Sequence, residues 1–264
     1  MLRTLKDLTD FAVDGSDGRV GALKDLLFDD QAWVVRFLVV KADAWLAGRT
    51  VLVSPIAIGP PDPGGRTLAA AVTREQVRRS PDVDTEKPVS RQHEVENYGY
   101  YGYPFYWGGT GLWGNCARPA AMLAMLGGEA SEELTEGQRR FVAAQAEFHR
   151  QRGDDPHLRS CRTVVGYHIE AQDGRLGHVG GFVVDDETWA IRYLIVDTSD
   201  WWLGHQVLIA PEWIVDVNWL EATVSLALSR QSVKDAPAYD GQALPDDEQE
   251  RALQVHHAGR RDSA

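Results

Sequence analysis

Cysteine is scarce: Cys116 and Cys161 are the only two in 264 residues. Two thiols cannot make a disulfide framework, and both are expected to be reduced in a cytoplasmic protein. An apolar h-region is missing from MLRTLKDLTDFAVDG, which carries a charge or a hydroxyl every few residues and so does not read as a signal peptide. Positive charge is in deficit, with 27 Lys and Arg against 39 Asp and Glu and a net charge of −12. Long-range repulsion from phosphate backbones then argues against nucleic acid as a partner.

Motifs for chemistry are also lacking. No H-x-x-x-H, C-x-x-C or D-x-[DN]-x-[DN]-G spacing occurs, so no metal site is expected. His168, His178 and His205 lie in the second half, where the first half has Ala12, Ala22 and Arg49. Gly109, Gly111 and Gly114 match G-x-G-x-x-G, but no apolar strand leads into them and Pro119 follows, which argues against a nucleotide fold. No catalytic residue and no cofactor are assigned, and the chain is not expected to be an enzyme.

What the sequence does contain is a repeat. DGRVGALKDLLFDDQAW (17–33) returns as DGRLGHVGGFVVDDETW (173–189), and residues 11–59 align with 167–215 without a gap at 16 identical positions of 49. Self-similarity of this kind is read before any other feature, because it sets the architecture. Asp17-Gly18 and Asp173-Gly174 suit a turn that needs positive φ. The pairs Asp29-Asp30 and Asp185-Asp186 suit turns in which a carboxylate accepts backbone N–H bonds. WVVRFLVVK and WAIRYLIVD are dense in β-branched and aromatic residues, and VLVSP and VLIAP end on a proline that cannot donate to a ladder. Four to six short strands per unit predict a mainly β protein of two small, closed or nearly closed barrels, since closure removes exposed sheet edges. Ile191, Tyr193 and Ile195 alternate with Leu194 and Val196, so both faces of this strand are apolar and its outer face is expected to be covered.

The order DG-x-x-G, apolar-DD-x-x-W, R-[FY]-L-[VI]-V, then Trp, Gly and V-L-[VI]-x-P resembles the PRC-barrel family, one copy in each half. The family includes the cytoplasmic domain of the photosynthetic reaction-centre H subunit and the C-terminal barrel of a ribosome maturation factor. HLRSCRTVVGYHIEAQDG and YYGYPFYW also resemble bacterial tandem PRC-barrel proteins. The resemblance implies a module that docks onto proteins and carries over no catalytic residue.

The expected organisation is a first barrel over 1–90, an aromatic Gly-rich linker over 91–130, a bridging helix over 131–153, a second barrel over 154–243 and a polar tail over 244–264. Tyr98, Tyr100, Tyr101, Tyr103, Phe105, Tyr106, Trp107 and Trp113 crowd the linker, where residues 97–117 carry no charge. Glycine, proline and tyrosine hydroxyls break that stretch, so it does not read as a transmembrane span. Two readings of the eight aromatics stand: they staple the linker to a barrel wall, or they form a partner site. Asp17, Gly18, Gly48, Asp173, Gly174 and Gly204 are assigned to structural turns. The function expected is a protein-binding or scaffolding module, with homodimer pairing open as well. A reaction-centre-like or peripheral membrane role, resting on Tyr and Trp at lipid headgroups, is one alternative. A small-ligand or catalytic site between the barrels is the other.

Overall fold

A computed structural model describes the chain except for residues 61–64, 82–88, 108, 126–135, 153–156, 199–204, 242–243, 247, 252 and 254–264. Gly204, the first five residues of the expected bridging helix and the end of the tail lie outside the described residues. The protein is mainly β, with 41% strand against 28% helix, and its strands form two separate sheets. No helix among the described residues is long and apolar enough to cross a membrane.

The chain begins with β1 (Leu2–Thr4) and α1 (Leu5–Leu8). β2 (Ala12–Gly15), β3 (Gly18–Asp29), β4 (Val34–Ala42), β5 (Thr50–Val53) and β6 (Thr67–Ala69) follow, then α2 (Arg74–Arg79), α3 (Arg91–Tyr101), α4 (Pro119–Met125) and α5 (Glu136–Arg152). β7 (Leu158–Ser160) and α6 (Cys161–Val164) precede β8 (His168–Ala171), β9 (Gly174–Asp185), β10 (Ile191–Asp197) and β11 (Gln206–Ile209). β12 (Ile214–Asn218), β13 (Thr223–Leu226), α7 (Arg230–Lys234) and β14 (Ala238–Tyr239) come last.

Two compact units divide these elements. Unit 1 holds Met1, Leu5–Arg162 and Asp185–Ala190; unit 2 holds Leu2–Thr4, Thr163–Val184 and Ile191–Ala264. The unit 1 sheet runs β5-β4-β3-β2-β6, with β7 also on β3, and the unit 2 sheet runs β12-β13-β8-β9-β10-β11-β14, with β1 also on β9. No closed barrel is detected among the described residues, where closed or nearly closed barrels were expected. In unit 1, the chain that continues from β5 meets the end of β6 through an isolated antiparallel bridge between Ile58 and Ala70, with the Gly59 N–H donating to the Ala69 carbonyl at 2.9 Å.

The turns are local and follow their residues. Gly18 and Gly174 sit at φ +133° and +130°, where a Cβ would be strained, and Gly48 is left-handed at +71°. Asp17 Oδ1 accepts the Arg74 backbone N–H at 2.8 Å and Asp173 Oδ1 that of Arg230 at 2.7 Å, so each turn also holds the start of a helix. Asp29 Oδ1 accepts the N–H groups of Gln31 and Ala32, and Asp185 Oδ1 those of Glu187 and Thr188. These bonds turn the chain tightly enough that Trp33 and Trp189 adopt φ +54° and +59°.

Two expectations change with the fold. Residues 91–101 of the supposed linker form the helix α3, which ends on Gly102 in the left-handed conformation. Gly99 sits inside that helix because α5 approaches closely: a Cβ there would lie 2.3 Å from Val142 Cγ1. The tail also has structure at its start, since residues 248–251 are helical and Leu253 is buried.

The outer face of β10 acquires a cover that its sequence did not name. Val183, Tyr193, Ile195 and Leu208 form one apolar cluster with Leu253, and Leu2, Ala210, Tyr239 and Leu244 pack around it.

Candidate functional site

Unit 1 gathers the aromatic segment around a buried charge cluster. Tyr98, Tyr101, Tyr103, Tyr106 and Trp113 are buried, between 0% and 5% exposed. Tyr100, Phe105 and Trp107 are half-buried. Tyr98 is the hub: its ring meets Phe37 edge-on at 5.7 Å, Tyr103 at 6.0 Å and Tyr106 at 5.8 Å. Tyr101 stacks on Tyr103 at 5.4 Å, and the Tyr100 hydroxyl donates to the Gln76 carbonyl at 2.8 Å. Burial raises the phenol pKa of Tyr98, Tyr101 and Tyr103, so these hydroxyls stay protonated.

Arg36, the buried one of the two charges in strand β4, lies 2% exposed beneath these rings, whereas Lys41 is exposed. Its guanidinium carbon stands 3.6 Å from the Tyr106 ring centroid and 4.8 Å from that of Trp113. One guanidinium nitrogen donates to the Leu112 carbonyl at 2.6 Å, and another is 3.6 Å from Asp29 Oδ2, an ion-pair separation too long for a hydrogen bond. Ring faces, a carbonyl and a carboxylate stand in for part of the guanidinium's water, while its Nε has no hydrogen-bond partner among the described residues.

Glu94 is fully buried on α3 and pairs with Arg91. The Tyr106 hydroxyl donates to Glu94 Oε1 at 2.6 Å, and Arg91 places a guanidinium nitrogen 2.8 Å from Oε2. His157 Nε2 also stands 2.8 Å from Oε2, but the two are not aligned as a hydrogen bond. Arg91 donates to the Tyr106 hydroxyl at 2.7 Å and covers the Trp107 ring at 4.4 Å. Burial would lower the Arg91 pKa, yet the Glu94 carboxylate and Tyr106 hold it up. Burial, reinforced by Glu94, pushes the Tyr106 phenol well up, which keeps it a donor.

Asn97, one turn farther along α3, is 1% exposed, and neither amide atom has a hydrogen-bond partner among the described residues. Unit 2 has Leu253 at the place 156 residues later. Asn97→Leu is therefore expected to stabilise unit 1 by about 1–3 kcal/mol, by removing an unsatisfied buried amide. Urea unfolding of the full chain measures this, and a loss of stability would mean that the amide is satisfied.

Trp113, like Tyr98, is fully buried. Its indole N–H donates to the Thr188 carbonyl at 2.8 Å, and its backbone exchanges hydrogen bonds with Cys116. Phe105 and Trp107, by contrast, lie stacked at 4.5 Å and 15°, half-exposed, with Phe141 of α5 at 5.8 Å. Phe141 is 55% exposed. The sequence-predicted set thus divides into five rings that build the core of unit 1, Tyr100 anchored to α2, and one outward pair.

Protein-family models and curated proteins were compared with this chain, and none matches it.

Elsewhere the reactive groups are held in structural roles. Cys161 is buried, and burial together with Asp25 pushes its thiol well up, so it is not a thiolate at neutral pH. Asp25 itself is raised by burial, and it accepts bonds from the Ser160 hydroxyl at 2.5 Å and the backbone N–H groups of Arg162 and Leu26. It thereby ties β7 to β3. His168 and His178 are partners across β8 and β9, with His178 Nε2 3.9 Å from Asp197.

Sequence reasoning missed Arg36, Arg91, Glu94, Asn97 and His157 as one cluster. Arg36 inside WVVRFLVVK was the available signal, since an unpaired charge in an apolar strand needs a partner from elsewhere.

Proposed function

We propose that the chain is a non-enzymatic protein-binding module, and that unit 1 docks through Phe105 and Trp107. The observation that carries this reading is the stacked, half-exposed pair, fixed at 4.5 Å on a base of buried tyrosines with Arg91 over the Trp107 ring. Rings already held in one rotamer lose little entropy when a partner covers them, which is why rigid aromatics serve as binding anchors. Phe141 beside them widens the apolar surface.

We read the two units as PRC-type barrels derived from one duplicated module. Support comes from the sequence resemblance and from turns that match at a constant offset of 156: Gly18 with Gly174, Trp33 with Trp189, and the Asp17 and Asp173 helix caps. The matched features are bends and packing, which suits a scaffold.

Affinity capture from the cells that make the protein tests the docking reading. Phe105→Ser with Trp107→Ser is expected to abolish capture of the partners that the unaltered chain retains, while thermal unfolding shifts by only a few degrees. Retention of the same partners by the altered chain would refute docking through this pair. Sedimentation with anionic vesicles, lost in the same variant, would replace the protein partner with a lipid surface.

A further inference from the structure

Unit 2 carries a second surface whose present occupant is its own chain. The described residues of 244–253 lie over the β9–β11 face, with Leu253 in the cluster of Val183, Tyr193, Ile195 and Leu208 and Leu244 packed against it. Glu250 Oε1 accepts from the Tyr193 hydroxyl at 3.0 Å and from Arg192 at 3.3 Å. Glu248, Gln249 and Arg251 face solvent. Leu253, the Glu250 carboxylate, the buried Pro245 and the partly buried Leu244 are therefore the anchors among the segment's described residues.

A cavity of about 160 Å³ lies between Gln249 and Leu253 on one side and Leu208, Pro237 and Tyr239 on the other. In unit 1 the corresponding stretch of chain is the eleven-residue α3, whose Tyr98 lies against Phe37 and Ser54. A long helix backed by α5 fills that place in unit 1, and in unit 2 the described residues there are helical over 248–251.

We propose that this face is a peptide-docking groove, held in cis by residues 244–253 and taken in trans by a partner's short helix bearing Glu-x-x-Leu. The groove sets that chemistry. Arg192 and the Tyr193 hydroxyl receive a carboxylate, and the apolar floor receives a leucine one helical turn later, as Glu250 and Leu253 do here. The space beside Leu253 accommodates a larger side chain of the incoming helix. Release of the chain's own segment then limits binding, which makes the contact autoinhibitory.

This inference deepens the protein-binding reading and rests on it for its biological use, but its test needs no captured partner. The probe is a fluorescent synthetic peptide of residues 244–264, titrated into the full chain and into full chain carrying Leu253→Ser. The peptide is expected to bind the Leu253→Ser chain at least tenfold more tightly than the unaltered chain. A peptide with Glu250→Ala and Leu253→Ser is expected not to bind either. Equal affinity for both chains, or no binding to a folded Leu253→Ser chain, would overturn the proposal.

Amide hydrogen exchange on the unaltered chain decides the matter if that variant does not fold. Residues 248–251 should exchange at least a hundredfold faster than Ile195 and Val196 of β10. Exchange of both at the same rate would mean that the segment opens only with the whole unit, and the proposal would fail. Neither failure would touch docking through Phe105 and Trp107, which lie in unit 1.

Discussion

Arg36→Ala is expected to destabilise unit 1 by about 3–5 kcal/mol, the usual cost of removing one member of a buried charged cluster. The guanidinium fills the space between the Tyr106 and Trp113 rings, donates to the Leu112 carbonyl and faces Asp29. Alanine would leave the carbonyl without its donor, the rings without their filling and the carboxylate without its counter-charge. Asp29 keeps its bonds to Gln31 and Ala32, so its turn should survive the change. Arg36→Met should cost less than alanine, because it restores the packed volume without the charge. Urea unfolding of the full chain, followed by tryptophan fluorescence, separates the two variants. Equal losses for Met and Ala would show that charge and hydrogen bonding dominate; a negligible loss for both would contradict the role given to Arg36.

Trp113→Ala is expected to cost about 3–5 kcal/mol by cavity formation, the range found for large aromatics in cores. Trp113 is fully buried, and its indole N–H supplies the Thr188 carbonyl within the Asp185–Ala190 turn of unit 1. The same turn accepts the Val35 N–H at the Trp189 carbonyl, so loosening it should also expose β4. Trp113→Phe keeps most of the apolar contact and loses one hydrogen bond, a cost of about 0.5–1.5 kcal/mol beyond any change in packing. Amide exchange at Val35 provides the local readout and should accelerate in both variants, more in alanine. Trp113 and Arg36 share a contact, so the two substitutions combined should cost less than the sum of the single losses.

Turns and strands were legible because their causes are local. Asp-Gly at 17–18 and 173–174 calls for positive φ, and Asp29 and Asp185 need only the next few N–H groups to hold their turns. The strands β3, β4, β9 and β10 follow from β-branched runs between those turns. α3 was not legible: glycine and tyrosine are weak helix formers, and the helix depends on Val142 packing over Gly99 and on Tyr98 meeting Phe37. Full sheet closure, one of the two forms expected, is not detected among the described residues; the need to protect edges does not say whether a ladder or a covering segment does so. The covered face of β10 could be expected from its two apolar parities, yet its cover, Leu253, lies 58 residues beyond Ile195 in the chain. At the site, eight aromatics were conspicuous as a group, but which of them face inward depends on Arg36 and Glu94. Those two charges come from separate elements that no spacing rule connects.

The docking surface is tested most directly by placing a photo-crosslinking amino acid at Trp107 in the full chain, within the cells that make it. A parallel chain carries the same group at Leu220, which is 99% exposed on unit 2. A discrete adduct with one or a few proteins at position 107, absent at position 220, is the expected result. No adduct at position 107, or the same unspecific smear from both positions, would contradict docking through the outward aromatic pair.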